Sequence, residues 1–187
     1  SELTYKNLSL LQPPGMKKDV YSQLSDKIFL SYKYIYQKYN NYDWYLKADD
    51  DTWIFMNNLR KFLSMKKSSR PVTYGYDFKE EVSEGYHSGG AGYVLSKTSF
   101  NRIGSTLSLD YSFCPNTGTE DVDIARCLRK LDVHPKKSID SLNRERFHLF
   151  NISMHYYGYY ETAFKWVLKY SKNGLTKVNN KIFILKI

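Results

Sequence analysis

Residues 44–52 run Trp44-Tyr45-Leu46-Lys47-Ala48-Asp49-Asp50-Asp51-Thr52, an apolar, strand-like stretch that ends in three consecutive carboxylates. So much like charge in one turn costs repulsion, and a cation offsets it. Oxygen-only ligands suit hard ions such as Mg²⁺ or Mn²⁺, and such an ion can in turn hold a diphosphate. A purely structural alternative stands beside this one: a solvated turn in which Asp51 or Thr52 caps the helix that follows.

Three further segments carry residues able to do chemistry. Ser88-Gly89-Gly90-Ala91-Gly92-Tyr93 is a glycine-rich turn whose backbone can approach a ligand closely or take positive φ, although a tight turn alone would account for it. Thr119-Glu120-Asp121-Val122-Asp123 opens a helical segment. The helix dipole favours acidic residues there, and a carboxylate so placed can also act as general base toward a substrate hydroxyl. Phe147-His148-Leu149-Phe150 sets one histidine among apolar residues. That is the ordinary setting of a satisfied core imidazole, yet an imidazole beside carboxylates is also a good Mn²⁺ ligand.

Alternating strands and helices must position these segments. Residues 1–15 read as an irregular lead-in that closes on Pro13-Pro14-Gly15. From Met16 to Tyr39, the positions Val20, Leu24, Ile28, Tyr32, Ile35 and Tyr39 recur at helical spacing, which predicts an amphipathic helix packed on a sheet. A strand over Tyr42–Ala48 then delivers the Asp run to its carboxyl end, where open α/β sheets bind ligands. A helix over Asn57–Ser64 follows, then a strand over Pro71–Tyr76. The glycine turn leads into a third strand, Tyr93–Leu95, after which Ser96 caps a short helix to about Arg102. A loop over Gly104–Thr119 precedes a helix over Glu120–Leu131, with Val122, Ala125, Leu128 and Leu131 on one face. The pattern predicts one layered α/β domain without internal repeats.

The chain has 187 residues, of which 42% are hydrophobic and 25% charged, enough for one sizeable core. The aromatic share is 17%, with 18 Tyr, a composition that suits contact with sugars as well as core packing. Net charge is +9, so acidic partners come into question. The Lys and Arg residues are scattered, and no nucleic-acid-binding motif accompanies them, so nucleic acid is not expected as a partner. A phosphate-bearing substrate or an anionic surface accounts for the charge equally well. From Thr162 to Ile187 there are six Lys and no acidic residue. No run approaches the roughly 18 apolar residues that span a bilayer. Cys114 and Cys127 could close a short loop in a secretory compartment, worth about 3 kcal/mol, or remain two free thiols in the cytosol. Asn7-Leu8-Ser9 and Asn151-Ile152-Ser153 match the N-glycosylation triplet, a pattern frequent by chance.

In this order, the segments resemble the core 1 β1,3-galactosyltransferases, within the inverting β1,3-glycosyltransferases of GT-A fold. The matching stretches are Asp43 through Thr52, Gly85-Tyr86-His87-Ser88-Gly89-Gly90-Ala91-Gly92-Tyr93-Val94-Leu95-Ser96-Lys97, Glu120-Asp121 with Ala125-Arg126-Cys127, and Arg146-Phe147-His148. The long glycine-bearing string is the specific part, and the likeness covers roughly Lys17 to Phe150.

The resemblance implies a single GT-A-like α/β domain over residues 16–155, a mixed, mostly parallel sheet flanked by helices. The family's first strands would precede this chain, and residues 156–187 form a divergent Lys-rich segment. It implies transfer of galactose from UDP-galactose to the 3-hydroxyl of GalNAc α-linked to Ser or Thr of a glycoprotein, with inversion. Asp49, Asp51 and His148 match the family's Mn²⁺ ligands, and Asp121 matches its catalytic base. Asp50, Ser88, Gly89, Gly90 and Glu120 fall where donor and acceptor are bound. Cys114 and Cys127 match a pair that is disulfide-bonded in relatives. A luminal catalytic domain at the Golgi membrane and a homodimer are the corresponding expectations. Leu149 stands where the family commonly has Pro. Another β1,3-transferase with a different sugar, or an inactive, chaperone-like paralogue, are the neighbouring readings. The intact Asp run argues against the second.

Overall fold

The computed structural model describes residues 13–15, 20, 23–79 and 81–150. The first helix, α1 (Leu24–Lys38), turns Ser25, Phe29 and Tyr32 into the protein, with Ile28, Ile35 and Tyr36 packed beside them. This stripe is rotated from the one expected: Val20 and Tyr39 are exposed, and Phe29, not among the expected positions, is one of the most buried side chains.

Strand β1 (Trp44–Lys47) follows, then helix α2 (Met56–Ser64), strand β2 (Val72–Gly75) and the short hairpin strands β3 (Asp77–Phe78) and β4 (Tyr86–His87). After β5 (Tyr93–Ser96) come α3 (Lys97–Leu109), a 3₁₀ turn over Tyr111–Phe113, α4 (Glu120–Lys130) and β6 (His134–Pro135). The main sheet has the order β1-β5-β2-β6. It is mixed, as expected, but its pairing is mostly antiparallel where a mostly parallel sheet is expected. Three strands point one way, but β5 runs against them from an interior place, so the β1–β5 and β5–β2 ladders are antiparallel and only β2–β6 is parallel. The reason lies between β2 and β5. The β3–β4 hairpin reverses the chain, and the glycine turn feeds it back into the sheet in the opposite sense.

Ser96 caps α3, its hydroxyl accepting from the Ser99 amide at 3.1 Å. The helix runs well past the expected end near Arg102, because Gly104 is a packing residue and not a stop. A Cβ there would meet Tyr36 Cβ at 2.5 Å, so glycine lets α3 and α1 touch. The expected loop over Gly104–Thr119 is therefore helix as far as Leu109.

Two apolar clusters cover the faces of the sheet. One gathers Phe29, Tyr32, Leu95, Phe100, Ile103 and Leu107; the other gathers Phe62, Tyr74, Tyr76, Phe78, Val94 and Phe147. Helix α4 serves both: Val122 and Ala125 belong to the second cluster, Ile124, Cys127 and Leu128 to the first. Cys114 and Cys127 are disulfide-bonded, tying the end of the 3₁₀ turn to this helix. Among the described residues, no helix is long and apolar enough to cross a membrane.

Candidate active site

Antiparallel pairing of β1 with β5 brings the first two motifs together. Lys47 lies opposite Tyr93, so the acidic turn that leaves β1 faces the glycine turn that enters β5. Thr52 fastens them. Its amide donates to the Asp49 carbonyl at 3.1 Å, its hydroxyl accepts from the Asp49 amide at 3.1 Å, and that hydroxyl donates to the Gly90 carbonyl at 3.1 Å. The capping alternative does not hold. Helix α2 starts at Met56, after Phe55, with no side-chain cap. Asp49, Asp50 and Asp51 are all exposed, and among the described residues nothing hydrogen-bonds to the carboxylates of Asp50 and Asp51. Trp53 follows directly, 81% exposed.

The third motif arrives through buried contacts. Glu120 accepts from the Tyr93 hydroxyl at 2.7 Å, and the Tyr32 hydroxyl donates to that of Tyr93 at 3.0 Å. Asp121 Oδ2 accepts from the Gly89 amide at 3.3 Å. Lys47 sits at the meeting point. Its Nζ lies 2.6 Å from Asp49 Oδ1, 3.3 Å from Glu120 Oε2 and 3.2 Å from the Gly89 carbonyl, with only 9% of the side chain exposed. A Cβ on Gly89 would lie 2.7 Å from Glu120 Oε2 and 3.2 Å from Lys47 Nζ, so a larger residue there would displace the ends of these side chains. Ser88 is buried behind the turn, its hydroxyl accepting from the Ala91 amide at 3.4 Å.

The electrostatics follow from this packing. Burial raises the Glu120 carboxyl above its ordinary value, against the opposing pull of Lys47 and the Tyr93 hydroxyl. Burial also raises Asp121, opposed by the amides of Gly89 and Val122. For Lys47, burial works against the charged form, but Glu120 and Asp49 outweigh it and hold the ammonium above its ordinary value.

Five of the expected residues, Asp49, Gly89, Gly90, Glu120 and Asp121, thus meet at one end of the sheet, with Asp50 and Asp51 beside them in solvent. Among the described residues, no three His, Cys, Asp or Glu side chains converge as a metal-holding group. His148 is exposed; neighbouring protein lowers its imidazole below the ordinary value through desolvation, but its accessible surface puts it in contact with water. Asp49 and Asp51 nonetheless suit a hard cation. Mg²⁺-like ions bind through one or two carboxylates and complete their shell with waters and phosphates, and Asp49 already holds one cation, the Lys47 ammonium.

Two buried anchors lie outside the expected set. Asp123, with no exposed surface, accepts from Ser25 Oγ and the Thr117 amide, each at 2.7 Å, from Thr117 Oγ1 at 2.8 Å and from the Gly118 amide at 3.2 Å. It shapes the loop that aims α4 at the site. His87 Nδ1 lies 2.8 Å from Asp77 Oδ1, a distance fit for an ion pair but at angles outside a hydrogen bond, and its Nε2 is 2.9 Å from Thr73 Oγ1. That pair braces the β3–β4 hairpin below the glycine turn. Nothing in the spacing of Asp123 or Asp77 announced burial.

An α/β layer with a mixed sheet, an acidic turn at one strand end and a carboxylate-bearing helix start beside it is consistent with a GT-A-like glycosyltransferase domain. Sequence comparison makes the class specific: the profile of the Galactosyltransferase family matches residues 16–138, and the chain belongs to that family. It is 39% identical over 126 residues to glycoprotein-N-acetylgalactosamine 3-beta-galactosyltransferase 1 of Xenopus laevis, a match covering 66% of this chain and 34% of that protein. It is 32% identical over 119 residues to human chondroitin sulfate synthase 3, covering 56% of this chain and 13% of that protein. With mouse beta-1,3-glucosyltransferase it shares 31% over 104 residues, 54% of this chain and 21% of that protein. The chain thus spans about a third of the length of the Xenopus relative, and less of the others.

Proposed function

We propose that the chain is the catalytic region of an inverting β1,3-galactosyltransferase that moves galactose from UDP-galactose to the 3-hydroxyl of GalNAc α-linked to Ser or Thr of glycoproteins. The observation that carries this reading is the meeting of Asp49, Gly89 and Glu120 around one ammonium, with Asp121 held beside them on the Gly89 amide, on a chain 39% identical to a relative whose name describes that transfer.

In this reading, Asp49 and Asp51 hold a divalent cation, Mn²⁺, against the donor diphosphate, and Asp50 lies beside the donor. His148 is the third ligand suggested by resemblance, and it would have to reach that cation from where it stands. The cation supplies Lewis-acid neutralisation of charge on the departing diphosphate. Asp121, its carboxylate fixed by the Gly89 amide, takes the proton of the acceptor hydroxyl as that oxygen bonds to C1. The bond from C1 to the diphosphate oxygen breaks on the opposite face, and its electron pair leaves with UDP. Burial makes Asp121 a stronger base than a solvated aspartate. Gly90, exposed at the tip of the turn, offers backbone to the sugar. Glu120, which the resemblance places among the donor- and acceptor-binding residues, holds Lys47 and Tyr93. A luminal Golgi location with a membrane anchor, and pairing as a homodimer, belong to the same reading.

The test is a transfer assay with UDP-galactose and a GalNAc-α-peptide. Asp121→Asn is expected to lose turnover while still binding UDP with Mn²⁺. Unchanged turnover would remove Asp121 from the chemistry. The 31–32% matches to a glucosyltransferase and a chondroitin synthase favour one second reading, a β1,3-transferase with another donor, and UDP-glucose and UDP-glucuronate in parallel arms separate the two.

A further inference from the structure

Lys47 lies between the acidic turn and the start of α4, and neither the metal-holding role nor the base role accounts for it. Its ammonium offers three protons and has three acceptors: Asp49 Oδ1 at 2.6 Å, Gly89 carbonyl at 3.2 Å and Glu120 Oε2 at 3.3 Å. With 9% of the side chain exposed, it is no solvated surface lysine. Asp49 divides its two oxygens. Oδ1 is taken by Lys47, while Oδ2 is directed toward the exposed Gly90, and the side chain remains 43% exposed. Glu120 is 8% exposed, and a second acceptor for the ammonium is therefore already in place away from solvent. A divalent ion entering at Asp49 would meet a like charge on the same carboxylate.

We propose that Lys47 is a resident cation of the acidic turn: it occupies Asp49 in the free chain and passes to Glu120 and the Gly89 carbonyl when a divalent cation takes Asp49. This rests on Asp49 and Asp51 being the cation site. Lys47 is a positioning residue in this scheme. It keeps the three carboxylates from repelling one another before a cation arrives, and it sets the affinity for that cation by competing with it. Because its second resting place is already at bonding distance, the exchange requires no backbone movement. Glu120 affects cation binding only through Lys47, by giving the ammonium somewhere to go.

The experiment titrates Mn²⁺ alone into the full chain, with no nucleotide, reading free Mn²⁺ by its paramagnetic resonance signal. Lys47→Met is expected to bind Mn²⁺ on the order of tenfold tighter than the unaltered chain. Lys47→Gln, which can still hydrogen-bond Glu120, covers the case in which the methionine variant does not fold and is expected to shift the same way. Glu120→Gln is expected to weaken binding, since the ammonium then has one fewer alternative to Asp49. In the Lys47→Met background, Glu120→Gln should change affinity by less than about twofold, as two changes acting through one residue are not additive. Equal or weaker Mn²⁺ binding by both Lys47 variants overturns the proposal. So does a Glu120→Gln effect that persists in full without Lys47, since simple loss of negative charge would explain it. Binding by no variant, nor by the unaltered chain, overturns the proposal together with the cation site itself, an outcome distinct from the first two.

Discussion

Asp49, Asp50 and Asp51 stand in solvent at the end of β1, whereas Asp123, at the start of α4, has no exposed surface and accepts four hydrogen bonds. Both stretches are short acidic runs, and their chemistry diverges through their surroundings. Among the described residues, Lys47 holds the Asp49 carboxylate and nothing holds those of Asp50 and Asp51, which leaves most of their lone pairs for a ligand. Those of α4 are committed by degrees: Asp123 entirely to the fold, Glu120 to Tyr93 and Lys47, and Asp121 to two amides, Oδ2 to that of Gly89 and Oδ1 to that of Val122. The lesson is that a carboxylate's neighbours decide whether it shapes the protein or serves a substrate. Lys47 and Gly89 are where the two regions touch.

The sharpest way to break this contrast is Asp123→Ala. Four donors lose a charged acceptor, and a loss of about 3–5 kcal/mol is expected in denaturant unfolding. A loss below 1 kcal/mol would mean that the loop before α4 does not depend on this residue. The glycine turn provides the next test. Gly89→Ala sets a methyl 2.7 Å from Glu120 Oε2, while the nearest atom to a methyl on Gly90 is Asp49 Oδ2 at 4.0 Å. Overpacking at Gly89 should cost about 1–3 kcal/mol. Gly90→Ala should cost clearly less, and equal losses would show that Gly89 is not where the regions are in contact.

A third prediction concerns pH. Burial holds Asp121 above the ordinary aspartate value of 3.8, so its basic form is lost as pH falls through a value higher than that. The acid limb of kcat/KM for transfer should lie above 3.8, and a limb at or below it would point away from Asp121 as base. The smallest effect belongs to Asp50→Ala. An exposed side chain without a hydrogen-bond partner among the described residues should alter stability by no more than about 0.5 kcal/mol, whatever it does to activity.

Much of this was legible in the chain. The acidic turn follows an apolar strand, the glycines precede another, and Val122, Ala125 and Leu128 keep helical spacing, so each element is written in its own residues. The disulfide between Cys114 and Cys127 also matched the resemblance. What local pattern could not supply was pairing. The β1–β5 register sets Lys47 opposite Tyr93, 46 positions apart in the chain numbering, and only that register turns a strand lysine into a bridge. Asp123 looked like a first-turn acid favoured by the helix dipole, since burial depends on Ser25 arriving from α1. Gly104 looked like the start of a loop because its partner, Tyr36, is on another helix. His148 shows the reverse: a family pattern marked it as a ligand, and among the described residues no three His, Cys, Asp or Glu side chains converge as a metal-holding group. The N-glycosylation triplets at Asn7 and Asn151, and the Lys-rich segment over 156–187, lie outside the described residues.

The central claim is that the acidic turn holds a nucleotide through a cation while the start of α4 holds the shape around it. Calorimetric titration of UDP into the chain, with Mn²⁺ and then with EDTA, tests it most directly, with Asp51→Asn measured alongside. The account predicts binding with Mn²⁺ that is lost in EDTA and lost in Asp51→Asn, whose unfolding transition stays that of the unaltered chain. UDP binding of equal strength in EDTA, or in Asp51→Asn with Mn²⁺, would contradict it.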